Sequence, residues 1–231
     1  TDQDTIHMRI DPPFDSRYLR YLWMLRDLQR KGVRVINDPA GIMLFNEKLY
    51  AYQQDSALPS YTGKSIEGLK LFLEDVPDVE TFILKPLDLF QGMGVEKVER
   101  YEIVTEFARK AHELEGPVVV QPFCEQISRG EVRTTFYRGK ELGSILKVPP
   151  QGEYLANIAR GAEYSVYELT DGERRECEKV CRELAEYDVD LVAFDILDGH
   201  LSEVNITCPG LLVEVSAAMG RNLCEDIVKE L

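Results

Sequence analysis

Asp195, Glu203 and Asn205 place two carboxylates and an amide oxygen in one short segment, Asp195-Ile196-Leu197-Asp198-Gly199-His200-Leu201-Ser202-Glu203-Val204-Asn205. Oxygen donors of this type are hard ligands, suited to a cation such as Mg²⁺ that also binds phosphate oxygens. The Asp198-Gly199 pair predicts a tight turn between two strands, the first closing the apolar run Leu191-Val192-Ala193-Phe194 with Asp195. Glu203 and Asn205 are two apart on the return strand, so the pleat sends both to one face, opposite Asp195. A hairpin bearing ordinary solvated acids has the same local pattern, so the choice rests on the remainder of the chain.

The elements that carry these groups are marked by Gly, Pro and periodicity. Tyr18, Leu19, Trp23, Leu25 and Leu28 predict an amphipathic helix over 16–31, closed by Gly32 and followed by a strand over 33–37. Asp38-Pro39 then breaks the chain. Helices are expected over 41–53, 65–73, 102–114, 171–187 and 216–231. Strands are expected over 81–85, 95–98 and 118–123, with a hairpin of 131–137 and 141–148 turned by Arg138-Gly139-Lys140. Strands mixed with helices in two clusters imply α+β lobes with a ligand held between them. No repeat or low-complexity segment is present.

Asp195-x7-Glu203-x-Asn205, followed by Ile206-Thr207-Cys208-Pro209-Gly210, resembles the metal-binding end of the ATP-grasp ligases, and among them the bacterial glutathione synthetases. The segments Met8-Arg9-Ile10-Asp11-Pro12-Pro13-Phe14-Asp15, Asn46-Glu47-Lys48-Leu49, Ile83-Leu84-Lys85-Pro86-Leu87-Asp88 and Pro150-Gln151-Gly152-Glu153 through Asn157 and Gly161 resemble the same family in the same order. The resemblance runs from about Met8 to about Glu214, and ordered motifs are far more specific together than singly. It implies the ATP-grasp fold, with two α+β lobes holding ATP between them. The expected divisions are 1–40, the end of a preceding substrate-binding domain and linker; 41–120, the N-terminal lobe; and 121–231, the C-terminal lobe with the Mg²⁺ site. The family also has an upstream α/β domain, expected to be absent from this chain and to mediate homo-oligomerisation.

By that resemblance Lys48 and Lys85 are phosphate lysines, point charges of the kind needed at a nucleotide. The loop from Asp88 to Gly94 stands where the family has a glycine-rich flap, and Gly92 and Gly94 still permit close backbone approach to an anion. Gln121 and Phe123 match the segment that pairs with adenine, and Glu131 the acid on the ribose hydroxyls. Arg133 lies two residues on and so shares a strand face with Glu131; it aligns with an arginine near the reacting phosphate. Asp195, Glu203 and Asn205 then hold Mg²⁺, with Mn²⁺ as a substitute. The implied reaction activates a carboxylate of γ-glutamylcysteine as an acyl phosphate, which the amine of glycine displaces. ADP and phosphate leave, and positioning with cationic charge does most of the work.

Arg9, Lys147, Asn157, Asn205 and Thr207 are the substrate-contacting residues that the resemblance implies. Some positions depart from the family: Ile10 replaces a lysine, Leu155 an arginine and Lys147 another arginine. Neither Leu nor Lys reproduces a bidentate arginine contact with a carboxylate. Ligation of a different peptide or amino acid, or a nucleotide-binding subunit without catalysis, are the alternatives.

Composition excludes other classes. The chain has 231 residues, 44% hydrophobic and 29% charged, enough to bury a core. Its net charge of −14 opposes general nucleic-acid binding. No apolar run reaches membrane-spanning length. Five cysteines without paired spacing point to a reducing cytoplasm. Cys177 and Cys181, one helical turn apart, read as a buried or idle pair rather than a metal clip.

Overall fold

The structure is a computed structural model that describes residues 4–230. Helix and sheet are mixed throughout, as the sequence predicts. Two compact units are formed: Leu58–Glu125, and the residues on either side of it. This division differs from the expected 41–120: the helices between 39 and 52, with Lys48, belong to the larger unit, and residues 121–125 belong to the smaller.

The N-terminal part of the larger unit is a strand–helix–strand crossover. β1 (Thr5–His7) and β2 (Arg34–Ile36) pair in parallel through α1 (Ser16–Arg30), with Ile6 opposite Val35. The Asp15 carboxylate accepts from Arg17 N and Tyr18 N and so starts α1. The helix buries Tyr18 and Leu22 against Met8 and Ile42. The single helix expected over 41–53 is two, α2 (Pro39–Leu44) and α3 (Glu47–Tyr52). Phe45 and Asn46 are extended, and Asn46 Oδ1 accepts from Lys48 N and Leu49 N, so a fresh cap ends one helix and opens the next. Asp38-Pro39 is a helix start, with Asp38 as cap and Pro39 at the first position, where a missing N–H costs nothing.

The smaller unit comprises β3 (Tyr61–Gly63), α4 (Ile66–Asp75), β4 (Thr81–Pro86), β5 (Glu96–Glu99), α5 (Ile103–Glu113) and β6 (Val118–Pro122). Its antiparallel sheet has the order β3-β6-β4-β5. Phe82 and Leu84 pack on Leu69, Ile103 and Phe107 of the two helices. Each such fully buried side chain contributes roughly 1.5–3 kcal/mol. Strand alternation therefore turns Ile83 and Lys85 to the opposite face, beside Val119 and Gln121 of β6.

In the larger unit β7 (Glu131–Tyr137), β8 (Lys140–Val148), β9 (Glu163–Val166), α6 (Asp171–Ala185), β10 (Leu191–Leu197) and β11 (His200–Asn205) follow. The five strands run in the order β11-β10-β7-β8-β9. Both expected hairpins form, with Arg138-Gly139 and Asp198-Gly199 at positive φ, the requirement of a two-residue turn matching strand twist. One sheet face buries Val132, Phe136, Val192, Phe194 and Val204 against Cys177, Val180, Cys181 and Leu184 of α6. The other buries Tyr137, Ile145 and Leu191 under Val215, Leu223 and Ile227. Those last three lie on α7 (Leu212–Met219) and α8 (Leu223–Lys229), which replace the single helix expected over 216–231. Gly220 is left-handed and Asn222 caps the next turn, so the chain cannot continue as one helix; residue 231 lies outside the described residues.

Candidate functional site

Beyond the apolar cover on that second face, the sheet carries charge. Asp195 pairs with Glu203 on one side and Arg133 on the other, which puts all three on one face. The register shift after Asp195 leaves Ser202 without a partner position, and its hydroxyl donates to Glu131 Oε1 at 3.1 Å. Glu131 stands opposite Lys147 on the same face.

Asp195 is the hub. Arg133 donates through Nε at 3.0 Å to Oδ1 and through Nη2 at 2.9 Å to Oδ2. Lys147 Nζ lies 2.8 Å from Oδ1, and Asn205 Nδ2 3.1 Å from Oδ2. Burial alone would raise the Asp195 carboxyl; the Arg133 and Lys147 charges outweigh it and hold the group well below the usual carboxylate range. Burial pulls Lys147 down, yet Asp195 and Glu131 leave it above its ordinary value. Lys147 also contacts Glu131 Oε2 at 2.8 Å. Its expected substrate contact is thus replaced here by two protein carboxylates, and Glu131, expected at the ribose, is held by Lys147 and Ser202.

The other carboxylate of the expected metal set, Glu203, pairs with Lys48 Nζ at 2.9 Å. Immediately before Lys48 in the chain sits Glu47, which the sequence alone assigns no role. Its Oε1 accepts from Ile206 N at 2.7 Å, Thr207 N at 2.8 Å and Thr207 Oγ1 at 2.8 Å. Burial of the carboxyl, then the charge of Glu203, push Glu47 above its ordinary value, against those donors. Both Thr207 donors, expected at a substrate carboxylate, are therefore engaged. An acid between a helix cap and a lysine was the only signal for Glu47 in the sequence.

Does this set suit Mg²⁺? The Asn205 amide nitrogen faces two acceptors, Asp195 Oδ2 and Ala193 O, so its orientation is settled and the amide oxygen is left as the donor atom for a cation. Among the described residues no group of three or more His, Cys, Asp or Glu forms a cage. That fits a cation which takes one or two carboxylates and completes its shell with phosphate oxygens and water. Asp195, Glu203 and Asn205 meet that description.

The remaining expected residues fall in two places. In the larger unit Arg9 is exposed, and its charge acts on Cys208 beside Thr207. Asn157 uses its side-chain oxygen on Ala159 N at 2.9 Å, capping a short turn that ends at left-handed Gly161. In the smaller unit Gly92 and Gly94 have φ of 71° and 68°, and a Cβ on Gly94 would meet Pro86 Cγ at 2.8 Å. The loop needs glycine there. Gln121 is buried and donates to Ser60 Oγ at 2.7 Å. Phe123 lies under Lys97, whose Nζ is 3.8 Å from the ring centroid.

Residues 47–220 match the family model for the prokaryotic glutathione synthetase ATP-grasp domain, and residues 1–43 match the model for the N-terminal domain of the same synthetases. Part of that N-terminal domain is thus carried here, which corrects the expectation that it is absent. The glutathione synthetase of Parasynechococcus marenigrum (strain WH8102) is 32% identical over 99% of this chain and 74% of its own length. Among solved structures, the D-cycloserine synthetase DcsG superposes with a TM-score of 0.75 at 17% identity, over 99% of this chain and 84% of that one. The ATP-grasp ligase PsnB, complexed with a precursor variant, Mg and ADP, gives 0.67 at 16% identity over 93% and 66%. These two likenesses speak to fold. With both family models together matching nearly the whole length, and Asp195, Glu203, Asn205 and Arg133 gathered on one sheet face that Lys48 of α3 reaches through Glu203, the chain belongs to the prokaryotic glutathione synthetases, ATP-dependent carbon–nitrogen ligases of the ATP-grasp fold.

Proposed function

We propose that this protein joins the carboxylate of γ-glutamylcysteine to the amino group of glycine, with ATP converted to ADP and phosphate. The observation that carries the reading is the charge row on the sheet: Asp195 against Arg133 and Lys147, and Glu203 against Lys48. A carboxylate oxygen of the dipeptide attacks the γ-phosphorus and ADP departs with the bonding electrons. The glycine nitrogen then attacks the acyl carbon, loses a proton, and phosphate leaves.

Asp195, Glu203 and Asn205 would hold Mg²⁺, or Mn²⁺ in its place; when bound, such a cation neutralises phosphate charge. Arg133 and Lys48 supply fixed positive charge at the reacting end, and Lys85 with the Gly92–Gly94 turn contacts the nucleotide phosphates. Gln121 and Phe123 line the base, Glu131 reaches the ribose, and Arg9 takes a substrate carboxylate. Asn157, Lys147 and Thr207 complete the substrate end, the last two through rearranged contacts. All five cysteines are free thiols, which supports a reducing cytoplasm as the setting. Self-association through the N-terminal domain belongs to the same proposal.

The test is ADP release from the protein with γ-glutamylcysteine and glycine, each omitted in turn, with mass detection of product. ADP and glutathione should appear only with both substrates. A second reading, ligation of another carboxylate and amine, is favoured by Lys147, whose ammonium is engaged by Glu131 and Asp195 where the family has an arginine. ADP release that ignores γ-glutamylcysteine but answers to another pair would select it.

A further inference from the structure

We infer that Glu47 is a positioning residue that pins the end of β11 to α3, and so sets Asn205 and Glu203 relative to Lys48. The inference rests on the proposed metal role of Asp195, Glu203 and Asn205. β11 is an edge strand of its sheet, so N–H groups beyond Asn205 have no further strand to meet. Glu47 Oε1 alone receives Ile206 N, Thr207 N and the Thr207 hydroxyl, all within 2.8 Å. From the opposite side of the same peptide, Asn37 Nδ2 donates to Ile206 O at 2.9 Å, while it also donates to Leu191 O at 2.7 Å at the start of β10. The residue after Asn205 is therefore gripped at both its donor and its acceptor.

Two neighbours extend the grip. Asn46 fixes the first turn of α3 through its contacts with Lys48 N and Leu49 N. Lys48 then reaches Glu203 Oε1 at 2.9 Å. Cap, strut and cation occupy three consecutive positions, so the helix that presents Lys48 and the strand that presents Glu203 and Asn205 are held as one piece. Partners of this outer kind orient the ligands, and their loss commonly costs metal affinity roughly 10- to 100-fold. Because every donor converges on one oxygen, what the site requires from Glu47 is an acceptor at that point, which a glutamine amide can also supply.

The experiment is calorimetric titration of ADP, with and without Mg²⁺, into wild type, Glu47→Ala, Glu47→Gln and Glu203→Gln. In wild type Mg²⁺ should strengthen ADP binding. Glu47→Ala should lose that strengthening by roughly 10- to 100-fold with metal-free ADP affinity unchanged, and Glu47→Gln should retain most of it. Loss in Glu203→Gln with none in Glu47→Ala overturns the positioning role and leaves the metal reading intact. No loss in either overturns the metal reading, and the role of Glu47 with it. An equal fall in metal-free affinity, or a Gln variant as impaired as Ala, overturns the acceptor role. If Glu47→Ala fails to fold, Glu47→Asp, whose carboxylate stops one methylene short, is read by the same criteria.

Discussion

Lys147 Nζ lies 2.8 Å from Asp195 Oδ1 inside the sheet, with side-chain exposures of 6% and 5%. A lysine this enclosed keeps its charge only because Asp195 and Glu131 face it. Removing one partner of a buried pair strands the others. Lys147→Met should cost about 3 kcal/mol, the low end for such losses because Arg133 still faces Asp195. Lys147→Arg, which keeps the charge, should cost far less. Urea unfolding of both variants measures this, and equal stabilities would show that the ammonium does not support the sheet.

Asp195 and Glu203 are both expected metal ligands, but their surroundings make them unequal as tests. Asp195→Asn leaves Arg133 and Lys147 with a neutral partner in a buried place, so lost activity would mix folding with chemistry. Glu203 is more exposed and has Lys48 as its paired cation. Glu203→Gln should abolish ADP formation while unfolding stays within about 1 kcal/mol of wild type. Near-normal turnover would remove Glu203 from the metal set.

Lys85 should matter to nucleotide binding in a way that a surface lysine does not. Lys85→Ala is expected to weaken ATP about tenfold or more, the loss of a bond to a charged group, whereas exposed Lys70→Ala on α4 should change nothing. Lys97 is unsuitable as that control: Ile83 pairs with it across β4 and β5, which puts it on the Lys85 face, and it covers Phe123. Equal calorimetric affinities for the Lys85 and Lys70 variants would remove Lys85 from the phosphates.

The hairpins are legible in the sequence because Arg138-Gly139 and Asp198-Gly199 are turn chemistry between alternating strands, and register then places Asp195 against Glu203. Helix breaks at Phe45-Asn46 and Gly220 are not, since hydrophobic periodicity runs through both while a side-chain cap and a left-handed glycine decide locally. β3 and β9 escape notice for a different reason: each is only three or four residues long and takes its identity from a neighbour strand. Glu47 stands within the segment Asn46-Glu47-Lys48-Leu49, but its target, Ile206 and Thr207, lies far along the chain, and spacing carries no information about such a contact. The ion pairing of Asp195 with Lys147 is hidden likewise.

The cysteines should separate by burial. Cys177 and Cys181 are packed against the sheet, and desolvation raises both thiols, Cys181 to about 12. Burial also lifts Cys208, to about 11. A raised thiol pKa means less thiolate at any pH below it, so at pH 8 about a thousandth of Cys208 is nucleophilic. Exposed Cys224 should react first with a thiol reagent in the native protein, and Cys177 and Cys181 only on unfolding. Early labelling of either α6 cysteine would contradict the packing of that helix.

Arg9 and Arg133 should fail in different ways. Arg9 is exposed and its charge acts on Cys208 beside Thr207, the proposed substrate end. Its loss removes binding that ground state and transition state share, so Arg9→Ala should raise KM for γ-glutamylcysteine and leave KM for ATP and kcat nearly unchanged. Arg133 is held by two bonds to Asp195, and its proposed place is at the reacting phosphate. Arg133→Ala should lower kcat roughly a hundredfold or more, with unfolding measured alongside because Asp195 loses a partner. Should Arg9→Ala leave KM for γ-glutamylcysteine unmoved while ADP release proceeds with another carboxylate, the substitutions at Ile10, Leu155 and Lys147 mark a pocket for that other acid. Efficient glutathione formation by wild type, with KM rising only in the Arg9 variant, excludes such a pocket.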